Sequence, residues 1–317
     1  MRVAVVGAGA IGGFIAAMLA RSGNEVGVVA RGNHLRAIQR NGLAVQSTAG
    51  DFSANVDAAA DLRELGVFDS VLVAVKAHDV SAVLEQLSAS IVAGATIVPL
   101  QNGIPFWYFE DRALESVDPG ERIRAAIPRE QIIGAVVHTS GEITSPGLIH
   151  QSGDRNYIFG LPSGVQNEAR LQDVVALFRA ADMDAAGTPD LRPAIWRKLL
   201  GNVSLNPVSA LTRQTIRPML ENPPTRRLIA RLMEETLRVA ARNGIVLNIS
   251  VDERIEMAAR LADVKTSMLQ DIEAGRALEL EPIVGAVIEI ADMYDVKIPV
   301  IRTVYALTKS LERGRAA

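Results

Sequence analysis

The run Arg2-Val3-Ala4-Val5-Val6, followed at once by Gly7-Ala8-Gly9-Ala10-Ile11-Gly12, constrains the fold more than any other feature of the chain. A continuous apolar run ended by glycine is what a parallel strand buried on both faces requires. The three glycines that follow have separate tasks at a strand–turn–helix junction. The first makes the tight turn, the second lets a diphosphate approach the backbone, and the third lets the helix pack closely on the strand. Helical spacing then runs over Ile11–Ser22, stops at Gly23, and a second strand follows over Glu25–Ala30. In that context the first amides of the helix face an anion with the positive end of the helix dipole behind them. Gly7, Ala8, Gly9, Ala10, Ile11 and Gly12 are therefore candidate contacts to a dinucleotide.

The second strand ends in Val28-Val29-Ala30-Arg31. A site for NAD usually carries an acid here, which accepts from the ribose 2′-hydroxyl. Arg31 offers instead a guanidinium that can pair with a 2′-phosphate in two parallel hydrogen bonds, so the expected cofactor is NADPH. A solvated surface arginine is the alternative at this position.

Later apolar runs repeat the scheme at Ser70–Val75, Thr96–Leu100 and Ile132–Val137, with a helix expected over Val80–Ile91. Strand–helix alternation with short links predicts a doubly wound parallel sheet. Two short alternating runs, Leu148–Gln151 and Tyr157–Phe159, are expected to add antiparallel strands at its edge, and a helix over Glu168–Ala181 closes this half. From about Thr188 the pattern changes to helical spacing throughout. The segments are Ala194–Leu205, Thr225–Asn243, Asp252–Asp263, Met268–Tyr294 and Val300–Leu311, with Pro193 suited to a first helical turn. The expected architecture is thus α/β, with residues 1–187 forming a cofactor domain and 188–317 an all-helical substrate domain.

Composition narrows the function. At 49% hydrophobic and 22% charged residues the chain is globular, and a net charge of −3 without a basic block argues against a nucleic-acid partner. The absence of cysteine excludes disulfides, thiolate metal sites and cysteine nucleophiles. The four histidines, His34, His78, His138 and His150, include no pair at metal-ligand spacing, so no metal is expected. Met1–Leu19 is too short and too broken by glycine for a membrane span or a secretory signal, and a cytoplasmic location is expected. Apolar helices in the second half make a homodimer a reasonable partner state.

The sharpest signal of the helical half lies in Trp196–Pro207. Lys198, Asn202 and Asn206 are spaced i, i+4, i+8 and share one helix face, while Leu199, Leu200, Val203 and Leu205 surround them. A solvent-facing stripe is the commonest origin of such spacing, but asparagine is a poor helix former and glutamate or lysine usually fills that face. Carbonyl reduction gives the stripe a purpose. Charge builds on the keto oxygen as hydride arrives, a lysine ammonium can stabilise and protonate that oxygen, and amides can hold the substrate without adding charge. Lys76 and Asn102 sit just past strand ends, where a doubly wound fold places its ligand, yet each residue type is equally at home as a surface lysine or a turn residue. Ser267-x-x-Gln270 reads as a capping box, and Glu279 by itself reads as a surface acid.

Taken in order, Gly7–Gly12, Val75-Lys76-Ala77, Gln101-Asn102-Gly103, Trp196–Pro207 and Ser267-Met268-Leu269-Gln270-Asp271 resemble the ketopantoate reductase family over nearly the whole chain. The resemblance implies an amino-terminal Rossmann domain, a helical carboxyl-terminal domain, a cleft between them, and NADPH-dependent reduction of 2-dehydropantoate to pantoate. It implies that Lys198 is the proton donor, that Glu279 acts close to cofactor and substrate, that Asn202, Asn206 and Ser267 bind substrate, and that Lys76 and Asn102 lie beside the nicotinamide. Two departures stand out. The stretch from Ile104-Pro105-Phe106-Trp107-Tyr108-Phe109 to about Gln131 is long and aromatic, and is expected to overhang the substrate side. The segment Arg213-Gln214-Thr215-Ile216-Arg217 lacks an asparagine that the family often carries there. A related NADP-dependent 2-oxo acid or β-hydroxyacid dehydrogenase is therefore an alternative, and an NADP(H)-binding sensor without catalysis is another.

Overall fold

The computed structural model describes residues 1–261 and 263–314. They fall into two compact units, the first made of Met1–Gln101, Phe106–Ala113 and Gly120–Leu191, and the second of Asn102–Pro105, Leu114–Pro119 and the chain from Arg192 onward. A single cut after residue 187 assigns the two short segments to the first unit, whereas they pack with the helical one.

The first unit contains β1 (Arg2–Val6), α1 (Ala10–Arg21), β2 (Glu25–Val29), α2 (Gly32–Asn41), β3 (Leu43–Ser47), β4 (Phe52–Ala54) and β5 (Asp57–Ala59). It continues with β6 (Ser70–Val73), α3 (Val80–Val92), β7 (Thr96–Pro99), α4 (Arg122–Ala126), β8 (Gly134–Ser145), β9 (Leu148–Gly160), α5 (Glu168–Ala180) and β10 (Asp184–Thr188). Five parallel strands in the order β5-β2-β1-β6-β7 form the doubly wound sheet. β1 and β6 are buried almost throughout, which is why they read as unbroken apolar runs.

A second sheet, β10-β9-β3-β4 with β8 paired to β9, corrects the reading of the middle of the chain. Its apolar pattern assigns Ile132–Val137 to the parallel sheet, but only an isolated bridge from Ile132 to Ile97 joins it there. From Gly134 the chain instead enters a long antiparallel hairpin with β9. The two short runs expected near 148 and 157 are one strand of 13 residues. Exposed Ser152, Gly153 and Asp154 lie between its apolar ends and hide that continuity from the sequence pattern. Helix α1 is buried from Gly12 to Leu19, and a Cβ on Gly13 would stand 2.5 Å from Ile149 on β9. One core joins β1, β2, α1, β9 and α5, so α1 has apolar neighbours on both sides, as a helix that is hydrophobic all round requires.

The aromatic stretch is also corrected. Phe106, Trp107 and Tyr108 are buried within the first unit, and Arg129 donates to the carbonyls of Trp107 and Phe109, both at 2.9 Å. A Cβ on Gly134 would lie 2.3 Å from the Trp107 ring. The rings serve packing of this unit rather than overhanging a substrate.

The second unit is helical. Its elements are α6 (Arg192–Thr212), α7 (Ile216–Glu221), α8 (Pro223–Arg242), α9 (Val251–Ala259), α10 (Ser267–Glu273), a π-helical turn at Glu281–Gly285, α11 (Ala286–Met293) and α12 (Pro299–Arg313). Pro193 sits in the first turn of α6, and Pro207 lies inside it. The helix expected over Asp252–Asp263 ends at Ala259, with Ala262 outside the described residues. The helix expected over Met268–Tyr294 is broken after Glu273, where Gly275 adopts φ +72°. It resumes through the π turn that contains Pro282. Proline lacks the N–H that a regular helix needs, and π turns of this kind gather at functional sites.

Candidate active site

The glycine turn carries three different constraints. Gly7 adopts φ +104°, and a Cβ there would be 2.7 Å from the amide nitrogen of Val75. A Cβ on Gly12 would be 2.2 Å from the Gly7 carbonyl and 2.7 Å from Ala74, so helix and strands could not close. Gly9 differs, because nothing lies within 4 Å of its Cβ position. Packing within the chain therefore does not demand glycine at position 9, and the space beside its backbone is open to an external group. Helix α1 begins at Ala10 with Gly9 as its cap, with no capping side chain and no acid in its first turn. These features fit an anionic diphosphate beside Gly9, Ala10 and Ile11.

His34, to which the sequence pattern assigns no role, braces this turn. Its Nδ1 accepts from the Gly147 amide at 3.0 Å, which leaves the proton on Nε2, and Nε2 donates to the Ala8 carbonyl at 2.8 Å. A trans peptide points its carbonyl and its N–H in opposite directions, so anchoring the Ala8 oxygen aims the Gly9 N–H away from His34. The position lies three residues after Arg31, on the first turn of α2, and that proximity is the one clue the sequence offers. Arg31 itself is exposed and caps α2 in extended conformation. Lys76 is half-buried and caps a single 3₁₀ turn at Ala77–Asp79, just past β6.

In the helical unit, three of the singled-out residues form a hydrogen-bonded chain. Lys198 Nζ donates to Asn102 Oδ1 at 2.7 Å, and Asn102 Nδ2 donates to Glu279 Oε2 at 3.0 Å. The local fold explains the placement of Asn102. The Ile104 amide donates to the Pro282 carbonyl at 2.8 Å, and Gly103 has φ +91°, with its Cβ position only 2.2 Å from that same carbonyl oxygen. The loop is clipped onto the π turn, and its asparagine is thereby set beside the buried Glu279. Burial pulls the Lys198 ammonium down to about 8, with Glu279 opposing the shift. At neutral pH it is still protonated, yet releases its proton far more readily than a solvated lysine.

The rest of the stripe lies in the same unit. Asn202 is half-buried, and Asn206 is buried and donates to Ser267 Oγ across a long 3.4 Å. Ser267 is not the cap of α10. Thr266 is, because its hydroxyl accepts from the Leu269 amide at 3.2 Å, and it also bonds the hydroxyl of Ser209 on α6. The capping motif is shifted by one residue from its expected place. Its displacement leaves the Ser267 hydroxyl facing Asn206.

A parallel sheet ending in a glycine turn, together with a helical unit that holds a desolvated lysine among amides, defines a dinucleotide-linked oxidoreductase by fold and chemistry. The family model described as ketopantoate reductase PanE/ApbA matches residues 3–164, and the model of that family's C terminal matches residues 190–312. The chain belongs to the ketopantoate reductase family and is an oxidoreductase. It is 39% identical to a 2-dehydropantoate 2-reductase of Mesorhizobium japonicum, covering 99% of each chain. It also superimposes on the crystal structure of 2-dehydropantoate 2-reductase from Geobacter metallireducens with a TM-score of 0.88, at 30% identity over 98% of this chain and 99% of the other. A ternary structure of D-mandelate dehydrogenase with NADH and anilino(oxo)acetate shares the fold, with a TM-score of 0.87 at 21% identity over all of both chains. Among the described residues, no helix is long and apolar enough to cross a membrane, and no group of acids and histidines could hold a metal.

Proposed function

We propose that this protein reduces 2-dehydropantoate to pantoate with NADPH. The observation that carries the reading is the Lys198 ammonium, desolvated and held by Asn102, which is in turn held by Glu279. NADPH supplies the hydride to the keto carbon. Lys198 stabilises the charge that develops on the keto oxygen and delivers its proton there, giving the secondary alcohol. Asn102 orients the ammonium, and the Glu279 carboxylate favours its charged form. Asn202, Asn206 and Ser267 supply neutral hydrogen-bonding groups for the substrate's polar atoms. The turn Gly7–Gly12 receives the diphosphate through its amides, Lys76 lies near the nicotinamide end, and Arg31 pairs with the 2′-phosphate.

The test is NADPH oxidation followed with a panel of 2-oxo acids. 2-Dehydropantoate is expected to give the highest kcat/KM, and a chain that reduces no member of the panel sinks the reading. A second reading, reduction of a different branched 2-oxo acid, is favoured by one observation. The segment from Arg213 to Arg217 offers arginine, glutamine and threonine where the family often has asparagine. The same panel separates the two by which acid is turned over best.

A further inference from the structure

Glu279 closes a stretch, residues 276–279, that belongs to neither helix nor strand. A chain without regular structure must find partners for its backbone polar groups elsewhere. The π turn that follows contains Pro282, which cannot donate to a helical ladder. Both pieces nevertheless carry parts of the site. Glu279 accepts from Asn102, and the Pro282 carbonyl holds the loop on which Asn102 stands.

Helix α12 supplies partners on both sides of Glu279. One residue before it, the Leu278 amide donates to Glu312 Oε1 at 3.0 Å. Two residues after it, the Glu281 carboxylate accepts from Tyr305 Oη at 2.9 and 3.0 Å and from Lys309 Nζ at 2.7 Å. Lys309 also pairs with Glu312 at 3.4 Å, so one ammonium ties the two flanking contacts together. Tyr305, Lys309 and Glu312 are spaced i, i+4, i+7 and share one face of α12. The Glu281 carboxylate folds back over its own turn, where a Cβ on Gly285 would stand 2.4 Å from Oε2, and glycine leaves that path open. The Lys309 and Glu281 side chains are 29% and 37% exposed. Ion pairs so close to water add little to stability, so the consequence of this cluster is the course it sets for the chain around Glu279.

We propose that Tyr305, Lys309 and Glu312 are positioning residues, which grip the flanks of Glu279 and so keep Glu279 and Asn102 beside Lys198. The bearing on catalysis rests on the reductase reading. Glu281 reaches the cluster from the π turn, and Arg313 of α12 acts on Tyr305 as well. At Lys198, Glu279 supports the ammonium against burial. Loosening Glu279 therefore makes Lys198 release its proton more readily. Deleting the Lys309 cation has a direct effect of the opposite sign, since losing a positive charge helps another ammonium keep its proton. That direct effect is screened by solvent, whereas Glu279 is buried. The sign of the change thus separates positioning from electrostatics at a distance.

The chain has five lysines, Lys76, Lys198, Lys265, Lys297 and Lys309, few enough for Lys198 to be titrated by NMR with lysine labelled at its ε-carbon. In Lys309→Met the acid constant of Lys198 rises at least about threefold. With the 2-oxo acid turned over fastest, kcat falls about fivefold or more while the KM for NADPH stays within about twofold. Lys309→Arg, which keeps the charge, returns both values toward those of the wild type. An unchanged titration, a shift to higher pH, or a normal kcat in Lys309→Met overturns the proposal. A wild-type protein that reduces no 2-oxo acid overturns the reductase reading, and the titration then decides the positioning role alone. Should Lys309→Met fail to fold, Tyr305→Phe takes its place, since it removes one hydroxyl and no charge. Lys198 again titrates at lower pH, and an unmoved titration decides against the proposal.

Discussion

The Lys198 ammonium lies 2.7 Å from Asn102 Oδ1, although the two residues are 96 positions apart in the chain. With Lys198 as the proton donor, Lys198→Ala lowers kcat by about two orders of magnitude or more, the usual worth of a positioned acid. NADPH binding, read by fluorescence titration, stays within about twofold, a factor that corresponds to well under 1 kcal/mol. A variant that turned over normally would remove Lys198 from the mechanism.

The pH dependence follows from the sign of the shift. With Lys198 as the proton donor, reduction requires its protonated form, and burial has brought the group down to about 8. In the direction of reduction, kcat/KM is therefore level below that pH and falls above it. Glu279→Gln removes the charge that holds the pKa up, so the fall begins at lower pH. A falling limb that stays in place in Glu279→Gln would show that Glu279 does not act on this proton.

Arg31 is exposed at the end of β2, where a 2′-phosphate can reach it from solvent. Arg31→Ala is expected to lower the NADPH-to-NADH ratio of kcat/KM by roughly tenfold or more, consistent with about 1.5–3 kcal/mol for a hydrogen bond to a charged group. Equal losses with both cofactors, or none, would assign the preference to another residue.

His34 offers a sharper comparison, because its two ring nitrogens have different duties. Glutamine can keep the donor that reaches the Ala8 carbonyl, and asparagine can keep the acceptor that meets the Gly147 amide. If the Ala8 contact aims the Gly9 N–H at the cofactor, His34→Gln retains most NADPH affinity. His34→Asn then weakens it about fivefold to tenfold, the effect of about one hydrogen bond. The reverse order would mean that His34 serves the hairpin turn and not the glycine turn.

Gly103→Ala tests how Asn102 is placed. Its φ of +91° disfavours any side chain, and the new Cβ would collide with the backbone of Pro282. A cost of at least ~1–2 kcal/mol is expected from the backbone alone, visible as a lower Tm. A loss of kcat should accompany it as Asn102 leaves Lys198. A variant with normal stability and activity would show that the clip at Pro282 is dispensable.

The features legible in the chain alone are local and periodic. The buried runs of β1 and β6 stay apolar because both faces of a parallel strand are covered, and the glycine turn shows itself because Gly7 and Gly12 each answer a nearby backbone constraint. The i, i+4, i+8 spacing of Lys198, Asn202 and Asn206 is likewise a property of a single helix. The pairing of β8 with β9, the burial of Phe106–Tyr108 and the break after Glu273 lie beyond such patterns, since each depends on which distant surface covers a segment. Glu279 shows the same limit. By composition it is a surface acid, and only the clip between Gly103 and Pro282 brings Asn102 to it and buries it beside a lysine. Local sequence thus determined which groups could do chemistry. The tertiary fold decided which of them share a desolvated site, because burial and contact between distant segments belong to the folded chain and to no part of it alone.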